Sequence, residues 1–375
     1  IAEPVHVYRI KCTFLDHENN VVATTAVEGT ARSSVPIEIP SIAVLPFDNM
    51  SADPDQDFFA DGLTEDILTQ LSKFRNLFVI SRNSTFTYKG KAVKATDVAR
   101  ELNVQYVVEG SVRKAGNRVR VTVQLIDGVR DHHVWADKYD RDLEDVFAIQ
   151  DEITAAITAT LPGRGEADTR DHSRSTPTTD MRAYECVLTG KVLHHRSNFD
   201  DNAKALQILE RAIEIDPGYV HARAWRACVL MQARVYEWVE DPDAVFREVL
   251  DELKRAISLD ENDTDVHRVL AAVSIARGDL SQSRLYQEKA LNLNPNYDLV
   301  VVQQGELYTW MGQPVEGIKW IKKAMQLNPF YPKRFQSHLG RAYFVSRRYQ
   351  EAIDSFKRAE THDFTHLAFL AICST

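Results

Sequence analysis

The sequence predicts an α/β mixed-sheet domain followed by an all-α helical-repeat solenoid. Three observations carry this. Between Pro40 and Leu161, short apolar runs alternate with amphipathic stretches. From Met181 onward the apolar spacing is helical throughout. Within that helical stretch a single string recurs as LERAIEIDP, LKRAISLDE, QEKALNLNP and IKKAMQLNP. Its alanines, Ala212, Ala256, Ala290 and Ala324, lie 44, 34 and 34 residues apart, and Ala359 follows 35 later.

Residues 1–39 read as the end of an upstream domain plus a linker. They hold a β-like piece, Val5–Ile10, and a polar stretch with Ser33, Ser34 and Pro36. The α/β domain spans 40–162. Ser41–Phe47 is a buried strand, and a loop rich in Asp, Ser and Pro follows. Leu63, Ile67, Leu71 and Phe74 then recur at helical spacing, with Asp61 as the expected cap. Leu77–Ile80 is a second strand. After a polar loop ending near Lys91, Thr96 is expected to cap a short helix holding Val98 and Leu102.

Tyr106–Arg113 is a strand that turns at Lys114–Asn117. The returning strand puts Val119, Val121, Val123 and Leu125 on one face and Arg118, Arg120, Thr122 and Gln124 on the other, the pattern of a half-exposed antiparallel strand. His133–Tyr139 follows as a strand. A helix from Asp142 closes the domain with Val146, Ile149, Ile153, Ile157 and Leu161 inward. Residues 163–180 lack any large apolar side chain until the array begins, so they read as a flexible linker.

The 34-residue period is that of tetratricopeptide (TPR) repeats, in which small residues let paired antiparallel helices approach. Gly305, Tyr308, Gly317, Ile321 and Ala324 fill those slots in one repeat, and Leu339, Gly340, Tyr343, Ala352, Phe356 and Ala359 in the next. Residues 181–375 therefore hold about five repeats plus a truncated sixth. Asn198–Asn202 and Glu237–Val245 read as insertions between helices.

Residues 40–161 resemble the TolB-like amino-terminal domain, through IAVLPFDNMS, FFADGLTEDILTQLSKF, VISRNSTFTYKG, YVVEGSVRKAGNRVRVTVQLID and HVWADKYDRDLEDVFAIQDEI. Residues 1–10 resemble the final strand of class III adenylate/guanylate cyclase catalytic domains. The order cyclase end, TolB-like module, TPR array is a recurring bacterial arrangement. The resemblance implies a regulatory segment of a cyclase-like signalling protein whose catalytic residues lie upstream. The alternatives are a TPR scaffold without a cyclase link and the effector segment of a winged-helix transcription regulator.

Composition narrows the classes further. The 375 residues are 44% hydrophobic and 26% charged, as in globular chains, and carry a net charge of −9. That balance argues against a nucleic-acid binder, which needs a basic surface. The four cysteines, Cys12, Cys186, Cys228 and Cys373, form neither a disulfide framework nor a zinc site. No apolar run reaches the roughly 18 residues a membrane span needs. A cytoplasmic location is expected. The chain begins at Ile1 and stops at Thr375 within an apolar stretch, which reads as a piece of a longer protein.

Chemical motifs are missing. Gly90-Lys91 and Gly190-Lys191 are not P-loops, and neither HExxH nor GxSxG occurs. The pairs His132-His133 and His194-His195 read as surface histidines. No catalytic residue, cofactor or metal is expected. The candidate site is the concave face built from the first helix of each repeat, with Arg268, Ile275, Val302, Glu306, Trp310, Arg341 and Phe344 as the groove. Its expected occupant is a partner protein or peptide, with self-association as an additional role. The Lys/Asn carboxylate clamp of chaperone-binding arrays is not matched.

Overall fold

The computed structural model describes residues 7–15, 21–30, 39–53, 56–161, 178, 180–359 and 369. The chain divides into two units, residues 1–39 and 40–375. In the first, β1 (Val7–Leu15) pairs antiparallel with β2 (Val21–Thr30), Ile10 opposite Val27. Of the expected β-like piece, Val7–Ile10 belong to this longer strand, while Val5 and His6 lie outside the described residues. Its partner, VVATTAVEGT, lies in a region expected to be irregular; the β-branched residues in that string suit a strand.

In the second unit a sheet runs in the order β5-β3-β6-β7-β8. Strands β3 (Ser41–Val44), β5 (Phe78–Val79) and β6 (Tyr106–Ala115) are parallel. β7 (Arg118–Asp127) and β8 (His132–Asp142) continue as an antiparallel meander, and the short β4 (Asp48–Asn49) pairs with β6. Val119, Val121, Val123 and Leu125 are fully buried, as their alternation predicts. They share a core with α1 (Asp57–Ser72) and α4 (Val146–Thr160). A separate core joins Ala43, Leu45 and Val107 to α3 (Ala95–Leu102).

Three local expectations are corrected. Asp61 does not cap α1. The helix starts a turn earlier because Phe59 extends the apolar face, and Asp61 instead accepts from Lys89 Nζ at 2.5 Å. Thr96 lies inside the first turn of α3, which begins at Ala95. The polar loop after Ile80 contains a one-turn helix, α2 (Arg82–Thr85), and a 3-10 turn, Phe86–Tyr88.

Among the described residues the helical region holds five antiparallel hairpins. They are α5 (Met181–His195) with α6 (Phe199–Ile215), α7 (Val220–Val235) with α8 (Pro242–Leu259), and α9 (Thr264–Ala276) with α10 (Leu280–Leu293). Then come α11 (Asp298–Trp310) with α12 (Pro314–Leu327), and α13 (Arg334–Val345) with α14 (Tyr349–Ala359). This is the TPR arrangement. Asn198–Asn202 is not an insertion: Asn198 caps α6 by accepting from Asp201 N, and the rest is helix. Of Glu237–Val245, only the portion before Pro242 is loop. Linker residues 163–177 and, apart from Phe369, the expected sixth repeat lie outside the described residues.

Glycine sets the closest helix approach within the array. A Cβ on Gly305 would lie 2.6 Å from Ile321 Cγ1 and 2.7 Å from the Gly317 carbonyl oxygen. The same device joins domain to array. A Cβ on Gly62 of α1 would lie 2.5 Å from the Tyr184 ring of α5 and 2.7 Å from Leu188 Cδ1.

Candidate functional site

The first helices of neighbouring hairpins pack in succession, α5 on α7, α7 on α9, α9 on α11 and α11 on α13, and form the inner layer of the array. The α/β domain is seated against this layer along a polar seam. At one end, Lys191 of α5 donates to Glu65 of α1, which also pairs with Arg82 Nε of α2 at 2.7 Å. Burial alone would raise the Glu65 carboxyl. The Lys191 and Arg82 charges outweigh it and bring the group down to about 2.

Beside it, Asp66 Oδ2 accepts from Tyr184 Oη and from Gln150 Nε2 of α4, both at 2.7 Å. Here burial dominates. Helped by the Glu65 charge, it pushes the carboxyl up to about 6 despite those two donors.

The far end of the seam is held by the loops after the third and fourth hairpins. Asn296 Nδ2 lies within hydrogen-bond distance of three carbonyl oxygens, those of Ser72 (3.2 Å), Phe74 (2.8 Å) and Leu77 (2.9 Å). It thereby satisfies backbone acceptors that the end of α1 would leave open. Asn294 donates to Ser72 Oγ at 2.9 Å. One repeat later, Ser84 Oγ donates to Asn328 Oδ1 at 2.6 Å, and Ser81 N donates to the Leu327 carbonyl at 2.7 Å.

Between these anchors, Trp225 of α7 is fully buried and serves as a hub. Its Nε1 donates to Asp265 Oδ2 at 3.1 Å and lies 3.2 Å from His221 Nε2. Lys191 Nζ and the Arg268 guanidinium stand 5.0 and 5.6 Å from its ring centroid, within cation–π range. Burial would raise the Asp265 carboxyl, but Arg268, His221 and Lys191 outweigh it and hold it below the usual carboxylate range.

The expected groove residues divide into four groups. Arg268 is only 7% exposed, with Nε 2.8 Å from Asp265 Oδ1, and so belongs to the Trp225 network. Val302 is buried in the array core, and Ile275 is half-buried on α9. Glu306, Trp310 and Arg341 do come together. Arg341 Nη2 reaches Glu306 Oε1 at 3.0 Å, His338 Nδ1 lies 3.4 Å from the same oxygen, and the Trp310 indole donates to the carboxylate. Burial opposes the charge on Glu306, but His338 and Arg341 bring it down to about 2. Trp310 stays 47% exposed. Phe344 packs on Phe369 and Tyr349, at centroid distances of 5.0 and 5.8 Å.

One expectation is overturned at the histidine pairs. His132 and His133 are exposed, but His194 is 3% exposed, because α5 turns it toward α7. Sequence reasoning also missed Glu65, Lys191, Trp225, Asp265 and Asn296. One signal was available. The repeated string ends in Asp at Asp216 and Asp260 but in Asn at Asn294 and Asn328, where the loops meet the α/β domain.

Asp66 makes the seam sensitive to pH. Its folded-state value, about 6, lies above the ordinary 3.8. The folded state therefore loses stability as pH rises from about 4 to 6, because the charged form is the disfavoured one. Allowing for partial exposure, the loss is about 2 kcal/mol. Asp66→Asn should remove this slope, which urea unfolding midpoints measured between pH 4 and 8 would reveal. Glu65 runs the other way: its contribution is full above 4.5 and is lost as pH falls toward 2.

Residues 38–156 match the family model of the HilA/YgeH-like transcriptional regulator, second domain. The chain is 43% identical over 232 residues to "Putative adenylate cyclase 3" of Rhizobium meliloti (strain 1021), a match covering 62% of this chain and 40% of that protein. A shorter match, 34% identical over 70 residues, covers 19% of this chain and 20% of the small glutamine-rich tetratricopeptide repeat-containing protein 2 of Mycosarcoma maydis. Among solved structures, a thermophilic TPR protein of Thermus thermophilus aligns at 19% identity with a TM-score of 0.40, over 51% of this chain and 98% of that one. The chain thus spans well under half the length of the curated relatives it matches.

Proposed function

We propose that this chain is the non-catalytic, regulatory and protein-binding segment of a class III adenylate cyclase-like signalling protein. The observation that supports this most is the 43% identity to a protein named as an adenylate cyclase, over 232 residues. In this reading the α/β domain is a TolB-like module that follows a cyclase catalytic domain, with residues 1–10 as the last strand of that domain. The protein acts in the cytoplasm.

The inner face of the array holds a partner protein or peptide around Trp310, Glu306 and Arg341, since a half-exposed Trp beside an Arg is typical of residues that dominate binding. Ile275 and Phe344 flank it. The Trp225 network and the seam then carry the effect of occupancy to the α/β domain. Such coupling requires two states with different affinity for the partner.

Nucleotide cyclisation by the full-length protein, with and without residues 181–375, tests the reading. Basal or partner-stimulated rates should change on removal of the array, and unchanged rates would overturn the regulatory role. A second reading, the effector segment of a winged-helix transcription regulator, is favoured by the family-model match over 38–156. Sequence-specific DNA binding by the full-length protein without any cyclisation would select it.

A further inference from the structure

Cys228 of α7 has no role in the seam or in the Trp310 cluster. The residue is half-buried in the inner layer of the array. Two basic side chains from neighbouring first helices converge on it. His194 of α5 brings Nε2 to 3.6 Å, and Arg268 of α9 brings Nη2 to 3.7 Å. The three residues lie on three different hairpins, so only the folded array assembles them.

His194 is 3% exposed and turns Nε2 to the sulfur, while its Nδ1 has no hydrogen-bond partner among the described residues. Arg268 is anchored by Asp265 at 2.8 Å, with the Tyr297 hydroxyl facing the same pair. Two nitrogen donors on a single sulfur stabilise a thiolate.

We propose that Cys228 is a modification site, a thiolate held by His194 and Arg268 that reacts with small oxidants of the hydroperoxide class. The sulfur lone pair attacks one peroxide oxygen, and the S–O bond forms as the O–O bond breaks. The sulfur is oxidised by two electrons to a sulfenic acid, and the peroxide is reduced. The leaving hydroxide or alkoxide takes a proton from solvent, giving water or an alcohol.

The electrostatics agree. Burial would raise the Cys228 thiol, but His194 and Arg268 outweigh it and bring the group down to about 6. Cys186 of α5 is also half-buried but has no such flanks; burial and Glu185 push its thiol up. The chain therefore carries its own reference.

The test is timed iodoacetamide labelling of the native chain, with Cys12 and Cys373 replaced by serine, read by mass spectrometry between pH 5 and 10. Cys228 labelling should reach half its maximum near pH 6. At that pH an ordinary thiol of pKa about 8.5 is only about 0.3% ionised, so the thiolate excess is roughly 150-fold. Cys186 labelling should still be climbing at the alkaline end. His194→Gln, which leaves the Arg268–Asp265 pair intact, should move the Cys228 midpoint upward. One equivalent of hydrogen peroxide should give a dimedone adduct on Cys228 and none on Cys186. An alkaline Cys228 profile, labelling only after denaturation, or absence of the adduct would overturn the proposal.

Discussion

Glu65→Leu is expected to lower the stability of the chain by about 3–5 kcal/mol, the usual cost of removing one member of a buried ion pair. The magnitude follows from what remains. Lys191 and Arg82 both direct their charge at Glu65, and neither has another carboxylate in an ion pair among the described residues. Truncation leaves two cations facing each other in a closed seam. The double variant Glu65→Leu/Lys191→Met should recover much of the loss, because it removes a charge from each side and keeps apolar volume. Denaturant unfolding of the single and double variants measures this. A single variant as stable as the parent would show that the seam is open to solvent.

Gly305→Val should cost about 3 kcal/mol, at the upper end of overpacking effects. Helix propensity alone favours replacing a mid-helix glycine, by up to about 1 kcal/mol for alanine and less for valine. Sterics decide the sign. The new Cβ would sit 2.7 Å from the Gly317 carbonyl oxygen, and a backbone atom cannot rotate away. Helices α11 and α12 must therefore separate, which opens the core around Ile318 and Ile321. The thermal midpoint and amide exchange across residues 298–327 would report the change. Gly278, by contrast, has a φ of +75° with nothing within 4 Å of a Cβ, so a substitution there would strain only its own backbone.

What the sequence disclosed follows from the range of the interactions. The array was legible because the slots recur every 34 residues and each is filled for a local reason, the meeting of two adjacent helices. The β7 alternation was legible because one strand face is buried and the other is wet. The seam was hidden. Asn296 and the backbone it serves at Ser72 are more than 200 residues apart, and nothing in an Asn-Pro-Asn string names that acceptor. The groove was only partly visible for a related reason. Slot counting places Arg268 on the correct helix and face, yet cannot show that Asp265, three residues earlier, turns the guanidinium inward. The neighbours of Glu306 were recoverable, since Trp310 follows at helical spacing and Arg341 occupies a slot one repeat later.

The anchoring of one α/β domain at both the first hairpin and the loops beyond the third and fourth limits how this protein can change size. Free-standing solenoids gain or lose whole modules with little penalty, since each touches only its immediate neighbours. Here the span from Tyr184 to Asn328 is bridged by a body of fixed length. An extra module spliced inside that span would carry the amides of Asn294, Asn296 and Asn328 out of reach, whereas one added beyond Ala359 would leave every anchor in place. Copy number is thus locked on the amino-terminal side of the array and free to drift on the other.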